Sequence, residues 1–188
     1  IYFMKNNLIF LVKYSKYLDY NFSQNILKKI QIKNYSIELY ISISNLLCVL
    51  DFFKNHSLSK FIFIDLICYD RPFSKFRFIL VYELLSYTYN LRIKLITQIK
   101  DINVGSVSIY SIFQSAGWPE REIWDLFGVL FLYNPDLRRI LTDYGFYDHP
   151  LRKDFPVSGF YELRYFEEQV NFSYLPIKLV QEERIFNI

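Results

Sequence analysis

Alanine is almost missing from this 188-residue chain, Ala116 being the single instance, and cysteine and histidine occur only twice each. An iron–sulfur cluster takes about four closely spaced thiolates, and a zinc site about four Cys, His or carboxylate ligands. Cys48, Cys68, His56 and His149 supply neither set, so no metal or cluster is expected in this chain. Each cysteine sits inside an apolar run (Leu46–Leu50, Phe61–Tyr69), which predicts two buried, reduced thiols. The five glycines all follow residue 100 and stand too far apart for a GxGxxG or Walker loop. Ser158-Gly159 lacks the preceding glycine of a nucleophile elbow. No run approaches the roughly 18 apolar residues of a membrane span, because Asp65 and Glu83 interrupt the two longest. Ile1–Lys16 has an apolar run, Leu8–Val12, but no small-residue cleavage site and no Arg- or Ser-rich composition, so no secretion or import signal is expected.

What is abundant is aromatic: 17 Tyr and 19 Phe. Phe, Tyr, Ile, Asn and Lys are residues of AT-rich codons, which marks an AT-rich genome of organellar kind. The length suits one domain with an appendage. Charge is uneven: Ile1–Gly117 carries 14 basic and 7 acidic residues, Trp118–Pro156 carries 5 and 7, and Val157–Ile188 carries 3 and 5. The basic first part invites a nucleic-acid reading through Lys28, Lys29, Lys33 and Arg92. These residues are spread over several elements and their tyrosines alternate with core positions, so a solvated surface is the expectation and no nucleic-acid partner follows.

In that first part Ile37, Leu39, Ile41 and Ile43 alternate with polar residues, the period of a half-buried strand. Ser44 is placed to cap a helix with Leu46, Val49, Leu50 and Phe53 inward, ending at Asn55 and His56. Further strands are expected at Phe61–Cys68, Phe76–Ser86 and Leu91–Ile99, with Tyr89-Asn90 as a tight hairpin, and a helix at Ser23–Ile32. After Asn103, Ser108 is placed to cap a short helix burying Ile112 and Phe113. A second helix is expected at Pro119–Phe127, with Glu120 and Glu122 at its positive end and Gly128 as its stop. The expected fold class is α+β: a mixed β-sheet layered with helices, followed by an extended C-terminal arm. The divisions are 1–103 for the sheet, 104–133 for short bridging helices and 134–188 for the interaction arm.

Glu120, Glu122 and Asp125 could serve acid–base chemistry, with His149 as a partner. Glu122 and Asp125 share a helical face while Glu120 and Glu122 diverge, so capping and pairing with Arg121 is the plainer reading. The stretch Asn134–Pro156 has charges of both signs, three prolines and too few periodic apolar residues to fold alone. It must lie on something. Arg138, Arg139 and Arg152 can pair bidentately with carboxylates, and Tyr144, Phe146 and Phe155 can act as buried anchors. Such a ribbon can cover the chain's own sheet with one side and meet a partner with the other.

WPEREIWDLFGVLF at Trp118–Phe131 and NPDLRRILTDYGFYDHPLRKDFPVSG at Asn134–Gly159 resemble the signature of the thirty-kilodalton-subunit family of respiratory complex I, the NADH:ubiquinone oxidoreductase, of the mitochondrially encoded type. Asp148 stands where the family has glycine, and Asn134 where it commonly has histidine. The resemblance implies a mixed sheet with helices and an extended arm, placed in the hydrophilic arm of the complex beside the quinone-site, forty-nine-kilodalton-type subunit and neighbouring iron–sulfur subunits. It implies no cofactor in this chain, with FMN and iron–sulfur clusters in neighbouring subunits, and no catalytic residue. It further implies a location on the matrix side of the mitochondrial inner membrane, peripheral to it. The interface residues expected are Glu120, Arg121, Glu122, Asp125, Arg138, Arg139, Asp143, Tyr144, His149, Arg152, Lys153 and Asp154. The rival is a free-standing acid–base hydrolase, which requires Glu122, Asp125 and His149 to converge on one pocket.

Overall fold

The computed structural model describes residues 2–22, 27–33, 36–56, 60–100, 105–181 and 184. Helix α1 (Tyr2–Asn21) leads into strands β1 (Leu27–Lys33) and β2 (Ser36–Ile41), helix α2 (Leu46–Asn55), and strands β3 (Phe61–Asp70), β4 (Phe78–Ser86) and β5 (Leu91–Ile99). The expected helix at Ser23–Ile32 is therefore corrected. Residues 23–26 lie outside the described ones, and Leu27–Lys33 runs antiparallel to β2, with Ile30 opposite Leu39 and Ile32 opposite Ile37. A few apolar residues in a short segment cannot tell a strand from a helix, and here pairing with β2 decides.

The sheet order is β1-β2-β5-β4-β3, with β2 and β5 parallel and the other neighbours antiparallel, so the sheet is mixed as expected. One hydrophobic cluster joins Leu11 and Leu18 of α1, Val49, Leu50 and Phe53 of α2 and the inward residues of β2 to β5. The same cluster takes in Ile109, Phe113, Ile123, Val129 and Phe131, so the stretch 109–131 shares the core of the sheet. On the opposite face lies a small apolar cluster of Ile79, Val81 and Ile96, with Tyr40 and Ile67 packed against it.

Strand β3 has an internal change of phase. Phe63 pairs with Leu84 and Asp65 with Glu83, which leaves Ile64 as an extra residue. This bulge moves the inward set from Phe61 and Phe63 to Leu66, Cys68 and Asp70. It delivers a carboxylate to the covered face at the end of the strand.

Several local expectations shift. Helix α2 starts at Leu46 after a 3₁₀ turn, Ile43–Asn45, and Ser44 Oγ shares a hydrogen bond with Ser42 Oγ instead of capping. Cys68 is buried, but Cys48 is exposed, because it lies off the Leu46, Val49, Leu50, Phe53 stripe of α2. The β4–β5 connection is a four-residue turn in which Asn90 adopts φ 50°, a left-handed conformation asparagine tolerates. Among the described residues no helix is long and apolar enough to cross a membrane.

Beyond the sheet, β6 (Ser106–Val107) pairs in parallel with β7 (Phe131–Leu132), and helix α3 (Gly117–Phe127) connects them after a 3₁₀ turn. The chain then runs without regular structure to a hairpin, β8 (Tyr161–Phe166) and β9 (Asn171–Pro176).

Candidate functional site

Helix α3 fastens the arm at both ends. At its first turn Glu120 is fully buried and does more than complement the helix dipole. Its Oε1 accepts the Ile109 N–H at 2.7 Å, and its Oε2 accepts Ser108 Oγ at 2.6 Å and Asn134 Nδ2 at 2.7 Å. Ser108 does not start a helix: Ile109–Phe113 forms a tight turn, in which Ser108 Oγ accepts the Tyr110 N–H. Burial raises the Glu120 carboxyl above its ordinary value, against the pull of its three donors.

Asp125, five residues along, is likewise buried. Three successive backbone N–H groups, of Ile140, Leu141 and Thr142, converge on its Oδ2 at 3.2, 2.8 and 2.8 Å. Its Oδ1 accepts Arg139 Nη1 at 3.1 Å and the Thr142 hydroxyl. A run of N–H groups of this kind forms an anion-binding concavity, here filled by the chain's own carboxylate. Burial pushes the Asp125 carboxyl up, but the donors of Thr142, Leu141 and Ile140 outweigh it and bring it down to about 2.

Beyond its last i→i+4 bond, the C-terminal end of α3 presents carbonyls that the helix itself cannot satisfy. Trp124 O accepts the N–H of Gly128, and Asp125 O accepts His149 Nδ1–H at 2.9 Å. Leu126 O accepts the Leu151 N–H at 3.1 Å, and Phe127 O accepts Arg152 Nε at 2.6 Å. Residues 149–152 therefore cap the helix, with a cation at its negative end. Burial first, and then the nearby Arg152 and Arg139 charges, lower the His149 pKa, so its ring is held neutral as a hydrogen-bond donor. Gly128 stops the helix with φ 75°, as expected. A side chain there would also meet Arg152 Nη2 at 1.9 Å and the His149 ring at 2.6 Å.

A third attachment was not visible in the sequence. Arg77, immediately before β4, forks onto Asp70 at 2.9 and 3.0 Å and reaches Asp154 at 2.9 Å, and Asp70 also accepts the Lys153 N–H at 2.9 Å. Burial pushes the Asp70 carboxyl up, but the Arg77 fork and the Lys153 N–H hold it below the usual range.

The remaining candidates separate. Arg139 also donates to the carbonyls of Asp148 and Tyr147, which folds the ribbon back on itself. Arg121 lies over the Trp118 ring and donates to Arg138 O, while Arg138 pairs with Asp136 at the surface. Asp143 accepts the Tyr174 hydroxyl at 2.7 Å, tying the hairpin to the ribbon. Of the three aromatic anchors, Phe146 and Phe155 are half-buried with ring centroids 6.1 Å apart, and Phe160 stacks edge-on to Phe155. Tyr144 is fully exposed and so is not buried as an anchor within this chain. Asp148, in place of the family's glycine, is not among the residues with positive φ.

The hydrolase geometry is absent. Glu122 is exposed, the Asp125 carboxylate is saturated by five donors, and His149 meets Asp125 through its backbone oxygen.

Residues 39–161 match the family described as "Respiratory-chain NADH dehydrogenase, 30 Kd subunit". The chain belongs to this family. It is 43% identical over 187 residues, 98% of this chain and 87% of the relative, to NADH-ubiquinone oxidoreductase subunit 9 of Reclinomonas americana. It is 44% identical over 185 residues, 98% of this chain and 93% of the relative, to NADH dehydrogenase (ubiquinone) iron-sulfur protein 3 of Beta trigyna. Among solved structures, the 30 kDa-subunit fold is shared with a chain of the membrane-bound sulfane sulfur reductase, an archaeal respiratory membrane complex. That match has a TM-score of 0.59 at 23% identity and covers 68% of this chain and 76% of the other. A trypsin-resistant fragment of Nqo5 aligns with a TM-score of 0.52 at 21% identity, over 58% of this chain and 89% of the fragment.

The words "iron-sulfur protein" stand in relatives' names and are said of those relatives, not of this chain. It has two cysteines, one exposed on α2 and one buried on β3. Among the described residues no group of three or more His, Cys, Asp or Glu could hold a metal ion.

Proposed function

We propose that this chain is a cofactor-free structural and assembly subunit of the hydrophilic arm of NADH:ubiquinone oxidoreductase. In this reading it supports electron transfer from NADH to quinone by packing against the quinone-site, forty-nine-kilodalton-type subunit, while FMN and iron–sulfur clusters reside in neighbours. Its place is the matrix side of the mitochondrial inner membrane, peripheral to the bilayer.

The observation that carries the reading is the two-sidedness of the arm. Its inner side is fixed to α3 and Arg77 by the contacts above. Its outer side leaves an aromatic surface in water. In the β8–β9 hairpin Tyr161, Leu163 and Tyr165 pair with Pro176, Tyr174 and Phe172, so these six share one face. The five among them that are large and hydrophobic are each at least 50% exposed. A two-stranded hairpin is marginal in water by itself, and contiguous exposed apolar surface of this kind marks an interaction site.

Truncation before Asn134 tests the proposal. Native gel electrophoresis of membrane extracts is expected to show loss of the assembled complex while the sheet remains folded. Unaltered incorporation of the truncated chain would refute it.

A further inference from the structure

A cavity of about 560 Å³ opens where the ribbon meets the hairpin. Its apolar walls include Phe146, Phe155 and Phe160, and its mouth is flanked by Tyr161 of the exposed hairpin face. The charged residues that line it are of one sign: Asp143 and Asp148 are among them, and no Lys, Arg or His is. The volume falls within the range of ligand pockets, about 300–1,000 Å³, and accommodates inserted side chains of a partner segment.

We propose that this cavity is the anchor pocket of the arm, and that its occupant is a partner-protein segment in which an aromatic or aliphatic side chain stands beside a lysine or arginine. The inference rests on the docking role proposed above and adds the partner's chemistry. The anchor fills the phenylalanine-walled space, and the cation faces Asp143 and Asp148 at the rim. Three features converge on this occupant. The cavity is continuous with the hairpin face through Tyr161 and Tyr174, so one partner surface can cover both. The arginines near the pocket already have partners: Arg139 lies over the Phe146 ring, 6.0 Å from its centroid, and is committed to Asp125 and the carbonyls of Tyr147 and Asp148, and Arg152 is committed to Phe127 O. Two aspartates and no cationic residue among the lining residues give the pocket a net negative charge, which rejects an acidic segment and orients a basic one. Finally, buried apolar anchors in pockets carry most of the binding energy in protein interfaces.

The test uses the assembled complex. A photo-crosslinking amino acid at Val157, an exposed residue at the pocket edge, is expected to capture a protein segment with an aromatic or aliphatic residue next to Lys or Arg. Two variants accompany it: Val157→Trp, which fills the pocket, and Asp148→Lys, which reverses its rim. Each is expected to lower incorporation into the complex about tenfold, an anchor-sized loss. Reversal of the captured basic residue is expected to restore incorporation of D148K. Capture of a lipid or a quinone analogue, capture of an acidic segment, or normal incorporation of both variants would overturn the proposal. If both variants incorporate normally while truncation before Asn134 abolishes assembly, the pocket inference alone fails. If the truncated chain incorporates too, the docking role fails with it.

Discussion

The backbone N–H of Lys153 donates to Asp70 Oδ2 at 2.9 Å across 83 positions of sequence. The arm is thus held by the last residue of β3, and Arg77 bridges Asp70 to Asp154 on the same segment. Asp70→Ala leaves Arg77 without its buried partner and the Lys153 N–H without an acceptor. Arg77 is a quarter exposed and regains some water, so the expected cost is about 2 kcal/mol, less than for a fully buried pair. Urea denaturation measures it, and amide exchange at Lys153 is expected to accelerate more than exchange in β4.

The two buried carboxylates of α3 give opposite pH signatures. Asp125 is depressed from 3.8 to about 2, because the hydrogen bonds of Thr142, Leu141 and Ile140 outweigh its burial. Its stabilising contribution is complete above 3.8 and is lost as pH falls toward 2. Asp125→Asn is expected to lower the melting temperature at neutral pH and to flatten the acid limb of the stability profile.

Glu120 has the reverse sign. Burial raises it above 4.5, so its contribution is complete below that value and declines as pH rises through the folded pKa. Glu120→Gln keeps an acceptor for the Ile109 N–H and removes the titration. The melting-temperature gap between wild type and E120Q is expected to narrow as pH rises from 4.5; a gap that widens would contradict this account.

These contacts also show which parts of the molecule are legible in sequence. Alternation reveals β2 and β5, and the Leu46, Val49, Leu50, Phe53 stripe reveals α2, because burial of one face imposes a period that needs no partner to be seen. The Ile64 bulge breaks that period, so the inward placement of Asp70, and with it the attachment of the arm, was hidden. Strand β1 has the apolar spacing of a helix, and its register comes from β2 rather than from its own pattern. In the ribbon, charge and proline content marked a segment that must lie on something. Which residues face inward depended on the N–H groups of 140–142 and on the carbonyls of α3, and backbone donors and acceptors leave no trace in side-chain identity. Asp125 and Arg139 therefore looked like partner-facing charges until the geometry paired them with each other.

Gly128 combines two requirements that a substitution would break together. Its φ of 75° costs an L-residue about 1–2 kcal/mol, and a Cβ would overlap Arg152 Nη2. Gly128→Ala is expected to lose that strain energy plus the Arg152 cap of Phe127 O. Because both changes act on the same space, G128A and R152A are expected to be less than additive in a double-mutant cycle by denaturant unfolding. Full additivity would mean that the cap does not depend on the glycine.

The exposed hairpin face makes a prediction that separates folding from assembly. Tyr165 and Phe172 are paired, 5.0 Å apart between ring centroids, yet at least half exposed. In the free chain their replacement by serine removes little buried surface, so Y165S/F172S is expected to change the melting temperature of the isolated protein by only a few degrees. On the docking role proposed above, the same pair is part of a covered interface in the complex, where loss of two aromatic contacts is expected to cost about 2–4 kcal/mol. Incorporation measured by native electrophoresis should then fall at least tenfold while the isolated variant unfolds almost as wild type does. Equal effects on both measurements would mean that the hairpin serves the fold of its own chain. A loss confined to assembly assigns its aromatic face to a neighbour.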